Sequence, residues 1–298
     1  MLYDKITSKV GNTPLIKWND IYLKMEMYNP SGSIKDRSAY NILINLFNDN
    51  IIKEGDTIIC PTSGNMGISL AYFSKYFSIK VIIVLPDNSS KERISILESY
   101  NVEIIYSKGI EGMKGSMKLA KDIAKKNNYY YFDQFSLEHN YTAYYYLAEE
   151  IIKQIPDVDT IICGIGTGGT YIGLCKYIKE NKLNIKVIGY EPSNVALISN
   201  KLFNLDLKID NGKIGIPGTG STEISNIVLN NLQFVDTIRV VNPVKVREFW
   251  SELVNNNLHI GISGAASIYL ALQEEGLNRK IVSIIPDGLN RYSSDIND

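Results

Sequence analysis

Histidine and cysteine are nearly absent from this chain, with two of the first and three of the second in 298 residues. With only His139 and His259, a metal site built from three histidines is excluded. Cys60, Cys163 and Cys175 are far apart and form no CxxC pair, so neither a zinc site nor a secreted disulfide framework is expected. Charge of one sign is lacking too: 31 Lys and Arg stand against 32 Asp and Glu, a net charge of −1. No excess draws the chain toward nucleic acid or an anionic membrane. The longest apolar runs, such as Val81–Leu85, are of strand length, far below the roughly 20 residues of a membrane helix. The opening MLYDKITSKV carries charges where a signal peptide keeps an apolar core, so a cytoplasmic protein is expected. If the chain is an enzyme, most of the usual catalytic side chains are missing.

What is present is enough apolar residue, 45%, to bury a full core. The length fits one or two domains. Short β-branched runs recur at Thr57–Cys60, Val81–Leu85, Val102–Tyr106, Thr160–Ile165, Lys186–Gly189, Thr237–Val241 and Ile281–Ile285. Helical spacing lies between them, as in Ile68, Leu70, Ala71, Phe73 and Tyr76, or Ala143, Leu147, Ile151 and Ile152. Alternating apolar strands and helices read as α/β with buried parallel sheets. Three of these runs lie between about residues 57 and 106 and the others after residue 160, with the helix-rich stretch 114–153 between them, which predicts two sheets and two closely packed domains.

Several loops at strand ends carry residues suited to chemistry. Asn29-Pro30-Ser31-Gly32-Ser33-Ile34-Lys35-Asp36-Arg37 follows an expected strand at Ile21–Met25. Ser33 reads as a helix N-cap, which puts Lys35 in the first helical turn. The helix dipole there disfavours a charged ammonium and suits an amine that attacks a carbonyl. Pro61-Thr62-Ser63-Gly64-Asn65-Met66-Gly67 leaves a strand and enters a helix, and its side chains and free N–H groups suit a carboxylate. Gly164-Ile165-Gly166-Thr167-Gly168-Gly169-Thr170 reads as a phosphate cradle at a helix N-terminus. Gly164, Gly166 and Gly169 also meet the GxGxxG spacing of a dinucleotide site, with Glu191 as its acidic residue, but Pro192 follows that glutamate at once. Gly261-Ile262-Ser263 opens another apolar helix, with Ser263 a cap or a ligand contact, and Pro286–Tyr292 forms a loop after the last strand. A lysine, a carboxylate cradle and a phosphate cradle together suit a phosphorylated aldehyde and an amino-acid substrate. Pyridoxal phosphate fits, and it lets an enzyme work almost without His and Cys.

Nearly end to end, the chain resembles the cysteine synthase (O-acetylserine sulfhydrylase)/cystathionine β-synthase family of fold-type II pyridoxal-phosphate enzymes. The resemblance is carried by Val10–Leu15, Asn29–Arg37, Thr62–Gly67, Ser90–Arg93, Gly112–Gly115, Gln134-Phe135, Gly166–Thr170, Glu191-Pro192, Gly261–Ser263 and Arg291-Tyr292. It implies a tryptophan synthase β-like fold of two domains, each a mainly parallel twisted sheet flanked by helices. Residues 38–137 would be the smaller, mobile, substrate-binding domain, and 7–37 with 138–298 the larger, cofactor-binding one. It implies that Lys35 holds pyridoxal 5′-phosphate covalently and later takes the Cα proton. Gly166, Thr167, Gly168, Gly169 and Thr170 would hold the phosphate, Asn65 the 3′-oxygen, and Ser263 the pyridine nitrogen. Thr62, Ser63 and Gln134 would bind the substrate carboxylate, helped by the backbone at Asn65 and Met66. The implied reaction is β-replacement through an aminoacrylate, in a homodimer acting on small molecules.

Two segments depart from the family pattern. Met66 stands where a threonine is usual, which removes a hydroxyl from the carboxylate cradle. The GIGAGF-like loop is here Gly215-Ile216-Pro217-Gly218-Thr219-Gly220-Ser221-Thr222-Glu223, more polar and more acidic. Glu223 is either an activator of the incoming nucleophile or a solvated helix cap. The default expectation is O-acetylserine plus sulfide giving cysteine plus acetate. The alternatives are replacement on cysteine with release of hydrogen sulfide, and 2,3-diaminopropionate-precursor synthesis from O-phosphoserine and glutamate.

Overall fold

A computed structural model describes residues 9–210, 215–221, 223–274 and 279–296. Thr222, the first two residues of the expected 7–37 segment and the last two of the chain lie outside the described residues. Among the described residues ten strands form two sheets. They are β1 (Leu15–Trp18), β2 (Ile21–Met25), β3 (Thr57–Pro61), β4 (Lys80–Pro86), β5 (Glu103–Ser107), β6 (Tyr130–Tyr131), β7 (Thr160–Gly164), β8 (Lys186–Pro192), β9 (Thr237–Val241) and β10 (Ile281–Ile285). One sheet has the order β1-β2-β10-β7-β8-β9 and the other β5-β4-β3-β6. All neighbours pair in parallel except β1, which lies antiparallel to β2 on the edge. The chain is therefore α/β with mainly parallel sheets flanked by helices.

Both faces of each sheet are covered, so the central strands are mainly apolar and their alternation sorts residues between two cores. Ile161, Val282 and Ile284 face one core with Leu147, Ile151, Ile172 and Leu174. Ile162, Ile281 and Ile285 face the other with Trp250, Ala265 and Ile268. In the smaller sheet, Ile58, Cys60 and Ile83 face a third core, while Ile59, Ile82 and Val84 face a fourth.

The strand order sets the position of the loops. β2, β10 and β7 are adjacent and parallel, so their carboxyl ends lie along one edge. From that edge leave the segment leading to Lys35, the Pro286–Gly288 turn and the glycine loop 164–168. Ile34 N–H donates to Pro286 O at 2.8 Å, and Ser33 pairs with Asp287 in an isolated antiparallel bridge. The helix that follows spans Lys35–Asn48.

That helix is fixed by a buried ionic network. Arg37 Nε and Nη2 donate to Glu26 at 2.6 and 2.8 Å, and Nη1 and Nη2 donate to Glu150 at 2.8 and 2.7 Å. Lys24, fully buried on β2, donates to Glu150, Thr13 O and Gln154 at 2.9, 2.8 and 3.0 Å. Burial lowers the Lys24 pKa, opposed by the Glu150 contact. Burial alone would raise Glu150, but the hydrogen bonds and charge of Arg37 outweigh it and hold the carboxyl at about 2 instead of 4.5. Removing one partner strands charges in the interior. Arg37→Ala is expected to lower unfolding free energy by about 3–5 kcal/mol, read by chemical denaturation. Because the folded pKa of Glu150 is depressed, its contribution is full above pH 4.5 and is lost as pH falls toward about 2. Glu150→Gln should flatten that part of the acid-unfolding curve.

Candidate active site

The carboxyl ends of β2, β10 and β7 meet the loop after β3 around one solvent-open cavity. Lys35 enters from the start of its helix. The N-cap position falls on Ile34, whose backbone is already helical (φ −56°, ψ −21°), and not on Ser33. The turn at Gly32 (φ +92°) tightens the entry, and Asp36 and Arg37 N–H donate three residues back to Ser33 and Ile34 O. The Ser33 hydroxyl still accepts from Lys35 N–H at 3.3 Å. The neighbouring Asp36 is buried and accepts from the Ser31 N–H and hydroxyl. Burial pushes its carboxyl up to about 6 against the pull of Ser31 and Ser69.

Gly166, Thr167, Gly168, Gly169 and Thr170 line the cavity opposite the lysine segment. They lead into the helix Gly169–Glu180, whose first N–H groups suit an anion. Gly168 caps it at φ +86°, a conformation that side chains other than glycine's rarely adopt. Gly166 is needed for close packing, since a Cβ there would stand 2.4 Å from Gly218 O. The 215–221 segment thus lies directly on the glycine loop, and Gly220 N–H donates to Ile165 O at 2.7 Å. Gly218 and Thr219 form part of the cavity wall.

Asn65 and Ser263 complete the set. Asn65 opens the helix Asn65–Ser74, and Ser263 is a buried first-turn residue of the helix Ile262–Glu274. Ser263 does not cap that helix from outside, because Gly261 O already accepts from Ala265 N–H. All eight residues expected to meet the cofactor line this one cavity. Asp287, for which sequence reading offered only a loop, lines it as well. It accepts from Asn65 Nδ2 at 2.6 Å and from the Tyr292 hydroxyl at 2.9 Å. Burial raises its pKa, against the hydrogen bonds of Asn65 and Tyr292.

Other expected residues stand apart from the cavity. Thr62 and Gln134 are buried beside it and Ser63 is half-buried, but none of the three lines it. The Thr62 hydroxyl accepts from Gly64 N–H at 3.2 Å, and Gln134 O accepts from Asn140 at 2.6 Å. The side chain of Met66 packs into the core with Leu43, Leu70 and Phe73, so only its main chain is left for a ligand. Glu223 is exposed and pairs with Lys114 at 3.2 Å. It lines a second cavity of about 220 Å³ that shares Gly166 with the first. Glu191, the candidate ribose contact of a dinucleotide site, is buried and spent on Ile198 N–H, Ser199 N–H and the Ser199 hydroxyl at 2.8–3.0 Å. The GxGxxG spacing therefore has no free acidic residue to complete it.

The residues fit a planar, phosphorylated, amine-reactive ligand. A glycine-rich cradle with two threonine hydroxyls sits at a helix N-terminus, Lys35 lines the same cavity, and Asn65 Oδ1 and Asp287 Oδ1 are buried without a partner among the described residues. Gly166→Ala should force the 215–221 segment off the glycine loop. It is expected to lower stability by roughly 1–3 kcal/mol and to make that segment cleavable in limited proteolysis.

The model of the family described as pyridoxal-phosphate dependent enzyme matches residues 6–287. A cysteine synthase of Staphylococcus aureus is 32% identical over 98% of this chain and 96% of its own. Among solved structures, a cysteine synthase from Entamoeba histolytica superposes with TM-score 0.87 at 31% identity, covering 98% of this chain and 89% of that one. A hydrogen sulfide-producing enzyme from Fusobacterium nucleatum superposes with TM-score 0.88 at 31% identity, covering 99% and 92%.

Proposed function

The chain belongs to the pyridoxal-phosphate-dependent enzymes, and we propose that it carries out β-replacement on an activated serine, with cysteine synthesis from O-acetylserine and sulfide as its activity. The single observation that supports this most is the convergence of Lys35, Asn65, Gly166–Thr170 and Ser263 on one cavity. When bound, pyridoxal phosphate supplies the electron sink that makes the substrate Cα proton acidic.

The chain's own residues do the rest. Lys35 would hold the cofactor, and its amine would take the proton from the substrate Cα. The N–H groups and hydroxyls of Gly166–Thr170 neutralise the phosphate without a cationic side chain. Asn65 meets the 3′-oxygen. Ser263, a neutral hydroxyl, would face the ring nitrogen and would not supply it with a full positive charge, which would favour loss of the Cβ substituent. Thr62, Ser63, Gln134 and the main chain of Asn65 and Met66 take the substrate carboxylate. Residues 38–137 form the smaller unit that closes on the substrate, and 7–37 with 138–298 form the larger. Closure would bring Thr62, Ser63 and Gln134, now beside the cavity, onto its contents.

The wider setting follows from the same reading. Among the described residues no helix is long and apolar enough to cross a membrane. Three free, buried cysteines suit the cytoplasm. The active form is a homodimer. A second reading, replacement on cysteine with release of hydrogen sulfide, is favoured by the polar 215–223 segment and by the likeness to the Fusobacterium nucleatum enzyme.

A spectral screen separates these readings. O-acetylserine, O-phosphoserine and cysteine are mixed in turn with the cofactor-loaded protein, then sulfide, glutamate, thiols or water are added and products are weighed by mass. The expected result is a shifted visible band with O-acetylserine that sulfide reverses, with cysteine released. A protein silent to every donor overturns the proposal, and turnover of cysteine alone selects the second reading. Glu223→Gln should leave the donor-induced shift intact and slow its reversal by the acceptor, measured by stopped flow.

A further inference from the structure

Resting on that reading of the cavity, we propose that Asp287 is the positioning residue for Asn65: its carboxylate holds the Asn65 amide in one orientation toward the cofactor. The two ends of a carboxamide have the same shape, so sterics alone do not choose which one faces a ligand. Asp287 makes the choice. An ionised carboxylate only accepts hydrogen bonds, and Asn65 Nδ2 donates to Asp287 Oδ2 at 2.6 Å, a short, charge-assisted contact. One amide proton is committed there. The second N–H and Oδ1, which is buried without a partner, remain for the ligand.

Asp287 is itself held from several sides. The Tyr292 hydroxyl donates to the same Oδ2 at 2.9 Å. Gly261 N–H donates to Asp287 O at 2.9 Å, and Ser33 pairs with Asp287 across the bridge. A Cβ on Gly261 would lie 1.9 Å from Asp287 Oδ1, so a glycine at that position is what lets the carboxylate sit there. One residue thus joins the lysine segment, the Ser263 helix and Asn65.

The placement is hard to explain by folding alone. Asp287 is buried, and among the described residues its Oδ1 has no hydrogen-bond partner. Among the described residues it forms no ion pair, and Arg93 and Arg291 act on it only through space. A buried carboxylate without a direct ion pair is costly, and a neutral acceptor would tie these segments together as well. The position pays off where an orientation must be enforced on a neighbour that meets the ligand.

The test is a double-mutant cycle read on the cofactor itself. Apo forms of the wild type, N65A, D287A, the double variant, D287S and D287N are titrated with pyridoxal phosphate. The dissociation constant and the absorbance maximum are recorded, together with thermal unfolding of each apo form. N65A and D287A should each weaken binding about tenfold to a hundredfold and move the band alike. The double variant should match the weaker single to within about twofold. D287S, too short to reach Asn65, should behave as D287A. D287N keeps an acceptor oxygen and should return the band to its wild-type position. Additive losses, or a D287A and D287S band that stays at the wild-type position, overturn the proposal. A wild type that does not bind pyridoxal phosphate overturns the reading of the cavity instead.

Discussion

The Arg37 guanidinium sits where β2, the Lys35 helix and the helix Tyr145–Gln154 meet, and the geometry of the site depends on it. Its fork spans Glu26 and Glu150, while Lys24 closes the other side of Glu150. The four charges balance and are almost wholly withdrawn from water, so each holds the others in place. Lys35 is two residues from that anchor, on the first turn of the same helix. An amine proposed to hold a cofactor and then move a proton needs a fixed starting point, and this network supplies one at the start of the helix.

From that anchor the active-site arrangement follows from sheet order. Three adjacent parallel strands deliver three loops to one edge, and the second sheet adds the loop after β3. The proposed phosphate cradle offers backbone N–H groups and a helix dipole in place of side-chain cations. That is why a chain with two histidines and no charge excess can still build a site for an anionic ligand. The 215–221 segment packs on the cradle through Gly166 and Gly218, so a change in either segment is felt by the other.

Much of this was legible in the sequence because it rests on local rules. The βα loops at Thr62–Gly67 and Gly164–Thr170 announce themselves by glycine and hydroxyl content at the junction of an apolar run and a helical period. The ends of strands were less legible: β8 runs on to Pro192, and the two-residue β6 pairs only because β3 lies beside it. Met66 was readable as a change in the cradle, yet helical spacing stacks it under Leu70 and Phe73, and its side chain joins the core. Ser33 looks like a cap, but the Gly32 turn brings Ile34 into the helical conformation first. Asp287 left no local signal, since its partner Asn65 is 222 residues away. Contacts of that kind are set by topology, which strand spacing implies only in outline.

The central claim is that Lys35, of all the lysines in the chain, holds the cofactor. Borohydride reduction of the loaded protein, followed by digestion and peptide mass analysis, tests it directly. The account predicts one pyridoxyl-bearing peptide, containing Lys35. A modified peptide from any other lysine, with the one spanning Lys35 left unmodified, would contradict it.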